Sequence, residues 1–277
     1  PNSARTLFSL IMSGVAGLCA VLALIPLFAV LIYVLFKGVS TLSPALFVEL
    51  PPPPLVGGGG FGNAFVGTLL TVGIASALSI PFGVMAAIFL AEFARDTRLA
   101  YWVNFFTNVL SGVPSIVIGT FAYAVVVLTT GTFSAVAAGV ALAVLMLPTI
   151  VRTAAGALEA IPRDYRQAAI GLGATRIQTT LQVVLPAAIP AIITGVMLAI
   201  ARAAGETAPV LFTALFNQYW NRTLWEPTAT LSMLVYNFAT VPYQNQQNLA
   251  WAASLVLMAL VLITSISART ITQRRKG

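Results

Sequence analysis

Residues 187–216 read AAIPAIITGVMLAIARAAGETAPVLFTALF, and between Arg176 and Arg222 the only charges are Arg202 and Glu206 inside this run. A helix of about 20 apolar residues crosses the hydrocarbon core of a bilayer, so the run reads as a membrane span with the pair near mid-membrane. Insertion scales assign roughly 2.5–3.5 kcal/mol to one Arg or Asp at a helix centre, so charges kept there tend to be working residues. The reading that follows is a polytopic membrane protein that moves something charged.

Composition points the same way. The 277 residues are 59% hydrophobic and 8% charged, with mean hydropathy +0.96; a soluble chain carries about 25% charged residues. Cys19 stands alone and there is no histidine, which removes disulfides, thiol metal sites and the commonest general base. No catalytic or metal-ligating residue is expected. The two lysines, Lys37 and Lys276, follow no G-x-x-x-x-G loop, so the chain does not hold a nucleotide by a P-loop. The sequence starts at Pro1 rather than Met, which points to a trimmed or missing N-terminus. The first apolar run, Leu7–Phe36, is too long for a signal-peptide core.

Gaps between charges predict six spans: Leu7–Phe36, Phe61–Ala91, Leu99–Leu128, Phe133–Val151, Ala187–Phe216 and Ala250–Ser267. With the N-terminus inside, the inner segments hold Arg5, Arg95, Arg98, Arg152, Arg163, Arg166, Arg176, Arg269, Arg274, Arg275 and Lys276, and the outer ones only Lys37 and Arg222. That asymmetry obeys the positive-inside rule and puts both termini in the cytoplasm. Basic residues confined to short loops between spans also argue against nucleic acid as a partner.

Three regions are expected: 1–60, a first helix followed by the stiff-then-flexible linker Pro51–Gly60; 61–268, a five-helix core with a cytoplasmic loop at 152–182; and 269–277, a basic cytoplasmic tail. The aromatic residues of the outer segment 217–249 suit an interface belt. Within that segment Ala229–Phe238 reads as a short re-entrant or interfacial helix, or as part of an outer gate.

The loop 152–182 is patterned. Pro162 suits a first helical position and Asp164 its first turn. Tyr165, Ala168, Ala169 and Leu172 form an apolar face, with Arg163, Arg166 and Gln167 elsewhere. Gly173 ends this helix, and Thr175-Arg176-Ile177-Gln178 has the form of a capping box that starts a second, whose apolar face runs to Pro186. The pair makes either a projecting knob or a helix lying on lipid headgroups.

Gln167-Ala168-Ala169, Gly173 and Val183-Val184-Leu185-Pro186 resemble the E-A-A, three residues, G, nine residues, I-x-L-P signature of membrane subunits of binding-protein-dependent ABC importers. Gln for Glu weakens any claim that a carboxylate is needed there. Gly62 to Thr68, Ser111 to Val117, Leu147 to Thr153, Arg202 to Pro209 and Ala229 to Leu231 are similar to the PstA-type family of bacterial phosphate-importer permeases. The resemblance implies an all-α, six-helix, MetI-like type I importer fold in the bacterial cytoplasmic membrane. It implies a second, PstC-like permease subunit, two PstB-like ATPase subunits that bind ATP and Mg, an external PstS-like phosphate-binding protein and surrounding membrane lipid, with phosphate as cargo and no cofactor in this chain.

On that footing Arg163, Asp164, Tyr165, Gln167, Ala168, Ala169, Gly173 and Ala174 are candidates for docking the ATPase, and Arg202, Glu206 and Thr207 for the substrate pathway. A guanidinium grips two oxyanion oxygens at once, and helical spacing sets Glu206 on the same face, where it can neutralise Arg202 in one state and release it in another. The same pair reads as an ion pair that locks helix packing. Sulfate, molybdate or phosphonate are alternative cargoes, and a secondary transporter without ATPase subunits is a further alternative.

Overall fold

The computed structural model describes residues 4–95 and 97–273, all helix or connecting turns with no strand among them. Five helices are long and apolar enough to cross a membrane: α1 (Ala4–Val39), α2 (Gly62–Phe93), α5 (Ala135–Glu159), α7 (Arg176–Gly205) and α10 (Gln244–Gln273). Together α3 (Arg98–Gly112) and α4 (Ser115–Thr130) are also long and apolar enough to cross, but they are bent by 105° at their break, the shape of a broken span or a re-entrant loop. Between these lie the short helices α6 (Arg163–Gly171), α8 (Ala208–Thr213) and α9 (Leu231–Ala239). Of the basic tail expected at 269–277, residues 274–277 lie outside the described residues.

The third span is therefore not one helix. Val113 takes an extended conformation (φ −71°, ψ 129°) because the ring of Pro114 disfavours the helical region in the residue before it. The fifth span also departs from expectation, at both ends. Pro186 does not end a second loop helix; α7 runs unbroken from Arg176, and a π-turn at Thr180–Val184 shifts the hydrogen-bond register just ahead of the proline. Such insertions are a common way for a helix to absorb a misfit. At its far end α7 stops at Gly205, with Glu206 extended (ψ 129°). Pro209, at the start of α8, would press its ring on the carbonyl of Gly205 if the helix continued. Arg202 and Glu206 thus do not share one continuous helix.

The core is built on α5, the most buried of the crossing helices. Its inner faces are small, with Ala135, Ala137, Ala138, Ala141 and Ala154 fully buried. Between apolar helices in lipid, close backbone approach is the main source of packing energy. α2, α7 and α8 close around α5 through Leu142, Met146, Ile150, Val184, Ile192 and Val210. A second cluster, at the N-terminal end of α2, joins Phe61 just before that helix and Ala64 within it to Leu231 and Leu234 of α9 and Ala252 and Ala253 of α10. α9 is accordingly part of the packed core rather than an interfacial helix. α1 leans on α10, through Tyr33 against Trp251 and Gly38 against Leu255.

The linker after α1 is folded back instead of flexible. Gly60 and Phe61 donate backbone bonds to Leu50 and Leu46, and Gly59 adopts φ +77° against Pro52. Asn245 and Gln246, in the first turn of α10, donate their side-chain amides to the carbonyls of Val56 and Pro52. These bonds explain why α10 begins six residues before its apolar run.

Gly67 of α2 faces the backbone carbonyl of Ala229, and any Cβ there would collide with it. The obstacle is main chain and cannot swing aside. Gly67→Ala is expected to destabilise the protein by about 1–3 kcal/mol, the usual range for overpacking, seen as a lower melting temperature of the detergent-purified protein.

Candidate functional site

The break between α7 and α8 holds the first candidate cluster. Arg202 lies in the last turn of α7, with its side chain 54% exposed, and its Nε is 3.3 Å from Oε1 of the largely buried Glu206. Among the described residues this is the one hydrogen bond of the guanidinium, and neither terminal nitrogen has a partner there. The broken backbone is satisfied from α9: Ser232 donates its hydroxyl to the Glu206 carbonyl (3.0 Å) and lies 3.2 Å from the Thr230 hydroxyl. The Leu231 amide in turn donates to Thr68 of α2 (2.8 Å). On the other side Pro209 packs against Gly119 of α4. Thr207 lines a cavity with Gly205, Ser232 and Ser254 between α7, α9 and α10.

The arrangement offers a forked cation with an adjacent carboxylate, set among hydroxyls at a point where the main chain is not helical. An exposed or half-exposed ion pair contributes at most about 1 kcal/mol. An anion that bonds the terminal nitrogens has little to displace.

The second cluster is the turn between α5 and α7. α6 ends in a Schellman motif: Ala174 donates to Ala169 and Gly173 to Ile170, with Gly173 at φ +89°, a conformation that glycine adopts without strain. The capping box at Thr175 is formed in both directions, Thr175 N–H to Gln178 Oε1 and Gln178 N–H to Thr175 Oγ1. Arg163, Asp164, Tyr165, Gln167 and Ala168 are exposed, and α6 has no fully buried residue. The apolar face made by Tyr165, Ala168 and Leu172 points away from the protein; Leu172 is 91% exposed.

The side chain turned inward is Arg166, which the helical pattern places off the apolar face. Its Nη2 is 2.6 Å from Oε1 of Glu92, and its Nε lies 3.1 and 3.2 Å from the two carboxylate oxygens. Nη1 donates to the Ile161 carbonyl and Nη2 to that of Leu158. Hydrogen bonding to Glu92 raises the Arg166 pKa above its already high value, with burial opposing and Coulomb attraction adding. A raised base pKa stabilises below that value and is lost only above it, so Arg166 carries its charge in the contact at neutral pH. Glu92, a lone acid in the inner end of an apolar span, was the available sign of this pair.

An α-helical membrane protein with a charged pair at a helix break and an ordered loop helix is a transport component in class. Residues 79–277 match the family described as the binding-protein-dependent transport system inner membrane component, and the chain belongs to that family. It is 42% identical to the phosphate transport system permease protein PstA of Yersinia pestis over 250 residues, covering 89% of this chain and 85% of the relative. It is 37% identical to the PstA of Haemophilus influenzae over 266 residues, covering 96% and 94%. In fold it is similar to a chain of the MetNI methionine ABC transporter solved in inward-facing conformations, with TM-score 0.65 at 20% identity over 76% of this chain and 94% of that one. The chain is a multi-pass membrane permease of ABC-importer type. Membership implies a partner permease, an ATPase and a binding protein in general terms.

The capping box gives a local prediction. Thr175→Ala removes the acceptor for the Gln178 amide and is expected to cost about 1 kcal/mol of helix-start stability. Hydrogen exchange at Gln178 should then quicken about fivefold, while exchange in α5 stays unchanged.

Proposed function

We propose that this chain forms half of the pathway by which inorganic phosphate crosses the bacterial cytoplasmic membrane, as the permease subunit of an ATP-driven importer. The observation that carries this reading is Arg202, a half-exposed guanidinium whose terminal nitrogens are unbonded among the described residues. Two parallel N–H groups suit two oxygens of one phosphate, a geometry a lysine cannot copy. The naming of the relatives as phosphate permeases favours phosphate over other oxyanions.

Glu206 lowers the net charge that the anion meets, so phosphate is held only while other contacts help. Thr207 and Ser232 supply hydroxyls beside the pair. The switch is the exchange of Glu206 for phosphate on the same guanidinium. ATP and Mg are bound by PstB-like subunits, since this sequence has no P-loop. A PstC-like permease completes the pathway and a PstS-like protein delivers phosphate from outside. Both termini face the cytoplasm, in keeping with the positive-inside rule.

Docking of the ATPase falls to Arg163, Asp164, Tyr165, Gln167, Ala168, Ala169, Gly173 and Ala174. What supports this is the outward apolar face of α6, continued by Ile177 and Leu181, which stays uncovered within the chain. An exposed contiguous apolar patch of this kind marks an interaction surface. Closure of the ATPase pair moves this face and, through it, the spanning helices.

Arg202→Gln is expected to lower phosphate uptake about 100-fold or more, the loss typical of a positioned charge contact, with the assembled complex intact; Arg202→Lys does not restore it. Uptake of labelled phosphate at the unaltered rate in either variant overturns the assignment. At Gly173 the left-handed backbone decides the outcome: Gly173→Val strains it and uncouples ATP hydrolysis from uptake, whereas Gly173→Asn, which tolerates that region, retains most coupling.

A further inference from the structure

We propose that Arg166 is a positioning residue whose clamp on Glu92, Leu158 and Ile161 makes α6, the inner end of α2 and the last turn of α5 move as one body. The inference rests on the reading of α6 as the ATPase-docking helix and names the route by which its motion enters the membrane core.

α6 has little else to hold it. None of its residues is fully buried, and among the described residues Arg166 makes the one side-chain hydrogen-bonded link from α6 to a spanning helix other than its own neighbour α5. Its covalent connections are a tight turn at 160–162 and the left-handed Gly173. Both are short backbone hinges that would bend under load.

The clamp bridges them. One planar guanidinium on α6 reaches two spanning helices and a turn at once: a forked contact to Glu92 on α2, a carbonyl at the end of α5 (2.8 Å to Leu158) and the carbonyl of Ile161 in the turn (2.7 Å). The carboxylate side chain is only 8% exposed and the guanidinium 15%, so water does not compete for the bonds. Glu92 sits within the π-turn Phe89–Phe93, where the hydrogen-bond register of α2 already changes and a helix yields most readily. Displacement of α6 is thereby delivered to a compliant turn at the foot of α2, the helix most extensively packed against α5.

The test uses the complete transporter in proteoliposomes with Cys19→Ser, and spin labels at Phe93→Cys, beside Glu92 at the inner end of α2, and Ile170→Cys on α6. In the unaltered clamp the distance between the labels stays constant when ATP is bound. In Arg166→Gln it changes by about 2 Å or more on ATP binding, the scale of helix shifts in switching proteins. The ATP hydrolysed per phosphate imported rises about tenfold, within the range of long-range coupling effects, while hydrolysis itself continues. Arg166→Lys keeps the charge, and so secures assembly if Arg166→Gln does not assemble, but a single ammonium cannot span the three partners. It is expected to loosen the label distance in the same way. An unchanged distance in Arg166→Lys, or unaltered stoichiometry in Arg166→Gln, overturns the clamp. The distance measurement needs ATP and the ATPase subunits but no cargo, so a wrong assignment of phosphate leaves it readable.

Discussion

A backbone carbonyl inside hydrocarbon has no water to bond, and an unsatisfied one costs several kcal/mol. This constraint accounts for most of the departures from plain helices in the protein. π-turns at Phe89–Phe93, Tyr123–Val127 and Thr180–Val184 keep the backbone bonded where the register changes, threonine hydroxyls return to carbonyls four residues back at Thr71, Thr153 and Thr194, and the Ser232 hydroxyl bonds the Glu206 carbonyl at the break after α7. The break that presents Arg202 is imposed by Pro209, and α9 supplies the donor that satisfies it. The charged pair therefore depends on a hydroxyl 26 positions later in the chain.

Small residues supply the other half of the arrangement. Ala-rich α5 lets α2, α7 and α8 approach closely, and glycines at 67, 119, 139 and 195 sit where a Cβ would meet a neighbouring segment of the same chain. The resulting core is rigid in its centre and punctuated at its ends, with compliance at π-turns and the bend between α3 and α4. A transporter that alternates between two states is served by that distribution, since packed helices shift as units and bend at such points.

Much of this was legible beforehand. The spans at α1, α2, α5 and α10 follow from apolar length, and the Schellman stop at Gly173 and the capping box at Thr175 from local chemistry. The breaks at Val113–Pro114 and before Pro209 carried a readable signal, the restriction that proline places on its predecessors, yet span length alone argued for continuous helices. The continuity of α7 through Pro186 had no such signal. A π-turn leaves no periodicity in a run where most side chains are apolar.

The sequence by itself determined the class of protein, the approximate spans, the absence of a P-loop and the turn at Gly173, because these depend on composition and on neighbours within one or two helical turns. Only the tertiary structure decided that α6 turns Arg166 inward and its apolar face outward, that the linker folds onto α10, and that Glu206 leaves the helix. The partner of Arg166 lies 74 residues away. Such a pairing is chosen by the packing of three helices around a buried carboxylate, and no local pattern encodes which of many distant charges will be brought within reach.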